Sequence, residues 1–92
     1  GRDAGYGKKN RPKNYARFYI NLGTRMDVNA ATLMGIINEN TRNKDIAIGK
    51  IDLMKGFSFF EVDKQYEKEI ENAFANAKYK GQKLVVEVSN SK

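Results

Sequence analysis

The sequence predicts an α+β domain in which a four-stranded antiparallel sheet carries two helices on one face. Four short segments alternate apolar and polar residues, the period of a half-buried strand. Two longer segments repeat apolar residues every three or four positions, the period of an amphipathic helix. The segments follow in the order β-α-β-β-α-β, and right-handed split crossovers then give the strand order 4-1-3-2. The first and third strands are therefore expected side by side in the centre of the sheet.

The first strand is predicted over residues 16–22 and ends at Gly23. Its inward-facing positions are apolar: Ala16, Phe18, Ile20 and Leu22. Asp27 or Asn29 is expected to cap the first helix, because a side-chain oxygen can accept hydrogen bonds from the free N–H groups of the first turn. The apolar face of this helix has helical spacing: Ala30, Leu33, Met34, Ile36 and Ile37. Polar residues over 38–44 end it.

The second and third strands form a predicted hairpin. The second strand covers roughly residues 48–54. Its inward residues are Ile51 and Leu53, and its outward residues are Lys50 and Asp52. Only Lys55-Gly56 separates it from the third strand, so a tight turn is expected.

Asp63 is expected to cap the second helix, and Gly81 to make the turn before the last strand. The buried face of the second helix consists of Tyr66, Ile70, Ala73, Phe74 and Ala77. In the last strand the inner face is formed by Leu84, Val86 and Val88, and the outer face by Val85 and Glu87.

The composition of the 92 residues excludes several kinds of site. The chain has no cysteine and no histidine, so disulfides, thiolate metal sites and the usual neutral-pH acid–base group are missing. No apolar run approaches the roughly 20 residues that span a bilayer, and no signal-peptide pattern opens the chain. We therefore expect no enzymatic activity and no cofactor in this chain, no contact with membranes, and a cytoplasmic location.

Most of the net charge of +6 lies at the start of the chain. Residues 1–14 contain five basic residues and one acidic residue, a local net charge of +4, together with three glycines and the only proline. Such a segment buries too little apolar surface to fold, so we predict a disordered, basic, glycine-rich linker over 1–14 and a folded domain over 15–92. The segment is either a solvated linker only or also a non-specific phosphate-binding arm. The chain lacks an initiating methionine and opens in linker, so we expect it to be a piece of a longer protein.

The third strand has aromatic residues on both of its faces. Phe57 and Phe59 lie on one face, and Ser58, Phe60 and Val62 on the other, because side chains alternate along a strand. A small domain buries only one face of its sheet. Phe57 and Phe59 are thus expected on the open face, where the predicted strand order brings Tyr19 beside them. Exposed rings of this kind stack nucleic-acid bases.

Polar and basic residues surround the three rings and complete the candidate RNA-binding set. Those expected to contact phosphate or to stack as cations are Arg17, Lys50, Lys55 and Lys83. Those expected in loops at the rim are Arg25, Arg42 and Lys44. Asn21 either reads a base edge or satisfies backbone groups at the end of its strand. As the alternative to binding RNA, the rings would pack across strands or shield the turn. The basic residues would then serve only the solubility of the surface.

The stretch over residues 55–62 resembles the RNA-recognition-motif signature K/R-G-F/Y-G/A-F-V-x-F/Y, with Ser58 in place of Gly or Ala and Val62 in place of the last aromatic. The stretch Phe18-Tyr19-Ile20, in the first predicted strand, resembles the start of RNP2, the other signature of that motif, with Tyr19 at the stacking position. The resemblance covers residues 16–88 and implies the RRM or ferredoxin-like fold.

Four segments more closely resemble the DbpA-type RNA-binding domain: 17–23, 45–52, 57–62 and 80–83. That domain lies C-terminal to the helicase core of some bacterial DEAD-box ATP-dependent RNA helicases. The resemblance implies a non-catalytic module that tethers such a core to structured RNA, ribosomal RNA in some members. Neither a P-loop pattern nor Asp-Glu-Ala-Asp is present here, so ATP and Mg²⁺ would be bound by the helicase core. We expect the module to be monomeric.

Two other functions remain open from the residues alone. The same open face would serve a protein–protein interaction domain, which the modest charge of the folded part and Glu61 favour. A small enzyme on this scaffold is the third possibility, since the architecture hosts unrelated functions. The lack of histidine, cysteine, paired carboxylates and a glycine-rich phosphate loop argues against it.

Overall fold

The computed structural model describes residues 14–89, and within them the chain forms six strands and two α-helices. The strands are β1 (Tyr15–Ile20), β2 (Ile48–Leu53), β3 (Ser58–Asp63), β4 (Lys78–Tyr79), β5 (Gln82–Lys83) and β6 (Val86–Val88). The helices are α1 (Ala30–Thr41) and α2 (Glu67–Ala73). The four-stranded antiparallel sheet has the order β2-β3-β1-β6, which confirms the predicted fold class and strand order, with β6 as the fourth predicted strand.

The core lies between the sheet and the helices. The inward residues of β1, among them Phe18 and Ile20, are fully buried, and the Phe18 ring stacks on Phe60 of β3 with centroids 5.4 Å apart. Leu33 of α1 and Ile70 of α2 belong to the same buried cluster, so both helices pack on this side of the sheet. No helix within residues 14–89 is long and apolar enough to cross a membrane. Residues 1–13 of the predicted linker lie outside the described residues.

A β-bulge sets the faces of β2. Ile48 lies opposite Val62 and Ile51 lies opposite Phe60, so two residues of β2, Gly49 and Lys50, lie opposite the single β3 residue Glu61. One extra residue in β2 therefore places both isoleucines on the core side, which strict alternation from Ile48 would not do. The predicted inward direction of Ile51 and outward direction of Asp52, which lies opposite Phe59, are confirmed.

The structure shows which of the predicted residues act as helix caps. Asn29 caps α1, because its Oδ1 accepts a hydrogen bond from the Thr32 N–H at 2.8 Å. Asp27 instead ends a preceding 3-10 turn with a left-handed φ of 62°. Asp63 caps a second 3-10 turn (Lys64–Tyr66) that leads into α2.

The end of the chain differs from the predicted single strand. Helix α2 stops at Ala73, so Ala77 is buried as predicted but lies beyond the helix. A small hairpin of β4 and β5 follows, with its turn at Lys80 and Gly81, whose φ values are 52° and 83°. Such two-residue turns need positive φ at both positions, and Gly81 adopts it without steric cost. Only three residues remain for β6, which starts at Val86.

The loop after β1 is joined to the hairpin between β2 and β3 by backbone hydrogen bonds. The Thr24 N–H donates to the Met54 carbonyl at 2.8 Å, and the Arg25 N–H donates to the Lys55 carbonyl at 3.0 Å. Gly23 permits this approach, since a Cβ there would lie 2.3 Å from the Lys55 carbonyl oxygen. The two loops at this end of the sheet therefore form one unit.

We predict that Gly23→Ala lowers the free energy of unfolding by about 1–3 kcal/mol, because the added methyl group pushes two backbone segments apart. Urea unfolding measures the change. Gly35→Ala is the matched control, since a Cβ at Gly35 of α1 meets nothing within 4 Å. Alanine is the better helix former, so the control should gain about 0.5–1 kcal/mol. Equal effects of the two substitutions would contradict the close contact at Gly23.

Candidate nucleic-acid interface

Three aromatic rings lie together on the sheet face that the helices leave open. Tyr19 of β1 lies directly opposite Phe59 of β3, and Phe57 immediately precedes β3. The Tyr19 and Phe57 rings stack with centroids 5.9 Å apart, while Phe59 meets both rings edge-on, at 6.1 Å from Tyr19 and 5.6 Å from Phe57. We call these three residues the ring cluster. Phe57 is 38% exposed, and the other two are half-buried.

Arg17 extends the ring cluster with a flat cation. Its guanidinium carbon lies 4.4 Å from the centre of the Phe59 ring. Two carboxylates orient it: Asp52 at 3.3 Å and Glu61 at 4.0 Å. A guanidinium plane held on an aromatic ring is itself a surface on which a base can stack. The Arg17 guanidinium and the Phe59 ring therefore form a layered platform that is suited to a base.

The open face also contains three carboxylates around the platform. Asp52 lies opposite Phe59, Glu61 lies opposite Arg17, and Glu87 of β6 lies opposite Tyr19. Directly opposed residues in an antiparallel sheet share a face, so these acidic groups adjoin the rings. They repel phosphate and accept hydrogen bonds from base N–H groups. The centre of the face thus suits bases better than a sugar–phosphate backbone.

Basic residues lie beside the ring cluster at the end of the sheet that holds the hairpin between β2 and β3. Arg25 and Lys55 are exposed and are neighbours through the hydrogen bond between the Arg25 N–H and the Lys55 carbonyl. The same hairpin is closed by the Met54 N–H, which donates to the Phe57 carbonyl at 2.9 Å. The structure therefore brings both predicted basic residues to the Phe57 side of the cluster.

Asn21 makes hydrogen bonds to backbone groups, which is one of its two predicted roles. Its Nδ2 donates to the Lys83 carbonyl at 3.1 Å, and its Oδ1 accepts from the Val85 N–H at 2.8 Å. The side chain thereby fixes the connection between β5 and β6 to the end of β1, and it places Lys83 at the same end of the sheet. A contact between Asn21 and a base stays a prediction.

The remaining predicted residues lie further from the rings along the sheet. Lys50 is exposed in the β2 bulge, and its backbone N–H donates to the Glu61 carboxylate at 3.3 Å. Arg42 and Lys44 are exposed in the connection before Ile48, at the end of β2 away from the hairpin. They are not brought together with the ring cluster, and their contact with RNA stays a prediction.

Two exposed basic residues near Lys83 are absent from the predicted set. Lys78 lies in β4 and Lys80 lies in the turn of the small hairpin. The signal for this hairpin was the pair Lys80-Gly81 between two short segments, since glycine favours two-residue turns. Within residues 14–89, no group of three or more acidic residues is arranged to hold a metal ion.

Comparison with known families gives a match over most of the described residues. The model of the family described as the DbpA RNA binding domain matches residues 17–88. The matched range contains the ring cluster, Arg17 and all of the basic candidates named above. No match was found among curated proteins.

We predict that Asn21→Ala frees the connection between β5 and β6, because it removes one donor and one acceptor that bind backbone groups. The free energy of unfolding should fall by about 1–2 kcal/mol for two hydrogen bonds, and hydrogen exchange at the Val85 amide should accelerate. Asn21→Asp is the control, since it keeps the acceptor for the Val85 N–H and should retain most of that protection. Equal hydrogen exchange at the Val85 amide in both variants would show that the side chain of Asn21 does not hold this connection.

Proposed function

The chain belongs to the DbpA RNA-binding domain family, and from this membership we propose that it directs a DEAD-box ATP-dependent RNA helicase to structured RNA, in particular ribosomal RNA. The family match makes it a non-catalytic RNA-binding domain. In this proposal the domain supplies affinity and location, and a helicase core in the same parent chain binds ATP and Mg²⁺. The basic residues of 1–14 would connect the two parts.

The observation that carries this proposal is the ring cluster beside the guanidinium of Arg17. Tyr19, Phe57 and Phe59 pack against one another on a face that the helices do not cover, and Arg17 lies on Phe59. Stacking a base on such a ring contributes about 1–3 kcal/mol. Two or three stacked bases are the usual source of affinity on sheets of this kind. The geometry therefore favours unpaired bases within a structured RNA.

A protein–protein interaction is the second candidate, and the three carboxylates of the open face favour it. Asp52, Glu61 and Glu87 outnumber Arg17 there, while Met54 is 42% exposed and Val85 is 40% exposed beside the rings. An apolar surface with acidic neighbours suits a basic, partly apolar peptide. The two candidates differ in how their affinity depends on salt. Each phosphate contact on a single strand changes the slope of log affinity against log salt concentration by about −0.7.

We predict that Tyr19→Ala and Phe59→Ala each weaken RNA binding by about 5- to 150-fold, the equivalent of one lost stack of about 1–3 kcal/mol. Phe57→Ala should act in the same direction. Fluorescence-anisotropy titration of residues 1–92 with ribosomal RNA fragments, at two salt concentrations, measures the affinity. Circular dichroism first establishes that each variant is folded.

Two control variants separate stacking from other effects of these substitutions. Tyr19→Phe keeps the ring and should keep the affinity. Tyr15→Ala removes an exposed ring from the far end of the same strand and should change the affinity less than Tyr19→Ala. Binding that ignores the ring cluster but disappears without residues 1–14, or without Arg25 and Arg42, would contradict the sheet as the RNA platform. Absence of binding to any RNA would favour the protein-interaction function.

We predict that ribosomal RNA fragments compete for the domain at lower concentration than an unrelated structured RNA of equal length and charge. Counterion release contributes equally to both competitors, so a difference reports recognition of bases or shape. Competition anisotropy with a labelled fragment measures it. Equal competition would leave RNA binding intact but would contradict the ribosomal target.

A further inference from the structure

The small hairpin of β4 and β5 presents lysines on one face, and we call residues 78–83 the lysine hairpin. Lys78 and Lys83 lie directly opposite each other and are both exposed, so their side chains share the outer face. Tyr79 and Gln82 form the other pair and are half-buried toward the domain. Lys80 is exposed in the turn, and its Nζ lies 5.5 Å from the centre of the Tyr79 ring.

This arrangement is electrostatically unfavourable in the isolated domain. Like charges directly opposite each other destabilise a strand pair. Among residues 14–89, the ion pairs of the structure involve Arg17 and Lys64, and none involves Lys78, Lys80 or Lys83. An anion between the lysines of the hairpin would replace repulsion with attraction. The hairpin is thus suited to hold a phosphate group.

The lysine hairpin is also held in a fixed position relative to the ring cluster. The Lys83 carbonyl accepts from Asn21 Nδ2 at 3.1 Å, and Gln82 Nε2 donates to the Asn21 carbonyl at 3.2 Å. The Leu84 N–H donates to the Ala77 carbonyl at 2.9 Å and closes the base of the hairpin. Asn21 is two residues from Tyr19 on the same outward side of the chain. A nucleotide chain that stacks on Tyr19 can therefore extend toward this hairpin.

We propose that the lysine hairpin is a phosphate-binding site for the RNA backbone, separate from the base-stacking platform. This inference rests on the proposed RNA-binding function. The carboxylates of Asp52, Glu61 and Glu87 keep phosphates off the centre of the sheet. The bases then occupy the ring cluster, and the backbone is held at the end of the sheet by Lys78 and Lys83. Contacts of this type add affinity and position without reading sequence.

The test compares two double variants of equal charge change in the chain of residues 1–92. Lys78→Gln/Lys83→Gln removes the opposed pair, and Lys64→Gln/Lys68→Gln removes two lysines from the α2 region. Anisotropy titrations with a labelled single-stranded RNA at 50, 100 and 200 mM salt give the log–log slope for each protein. The lysine-hairpin variant should have a slope shallower by about 0.7, the contribution of one phosphate contact. The control should keep the slope of the unaltered chain.

Two further readouts distinguish a phosphate site from a structural role. The melting temperature of Lys78→Gln/Lys83→Gln should not fall, because the substitution removes repulsion. Lys78→Arg/Lys83→Arg should keep the steep salt slope, because it keeps both charges. Equal slopes for the hairpin and control variants would overturn the phosphate site while leaving RNA binding intact. Failure of the unaltered chain to bind any RNA would instead overturn the proposed function itself.

Discussion

The antiparallel pairing of β1 with β3 in a single register is the constraint on which the rest of the domain depends. Phe18 lies opposite Phe60 on the core side, and Tyr19 lies opposite Phe59 on the open side. A shift by one residue would exchange the faces of a strand and turn a buried phenylalanine to water. The stacked and fully buried Phe18 and Phe60 therefore determine the register. The same register brings the ring cluster together.

This register separates stability from recognition on the two faces of one sheet. The core side packs against both helices, so its rings contribute through burial and are unavailable to a ligand. The open side has no such partner among the described residues, and its rings contact one another and Arg17. Substitutions on the open side are accordingly expected to alter binding more than folding.

Acidic and basic residues lie at different places around the ring cluster, which the net charge of the domain does not show. Carboxylates on three strands surround the rings of the open face, whereas exposed basic residues lie at one end of the sheet, on the two hairpins beside Phe57 and Asn21. Backbone contacts at Gly23 and side-chain contacts at Asn21 hold those hairpins against the sheet. A flexible RNA can meet this pattern by placing its bases on the rings and its phosphates at that end of the sheet.

Sequence periodicity by itself determined the fold class and the outward direction of Tyr19, Phe57 and Phe59, because alternation and helical spacing are local properties of the chain. The strand order followed from these elements together with the right-handedness of the crossovers. The tertiary structure alone decided the bulge in β2, the choice of Asn29 as the cap and the hairpin at 78–83. The bulge and the hairpin depend on distant neighbours, Phe60 and Val62 for the bulge and Asn21 for the hairpin, whereas the cap depends on which side chain reaches the Thr32 N–H. The same reason explains the site, since the sequence identifies Arg17 as basic, but only its contact with Phe59, Asp52 and Glu61 makes it part of a stacking platform.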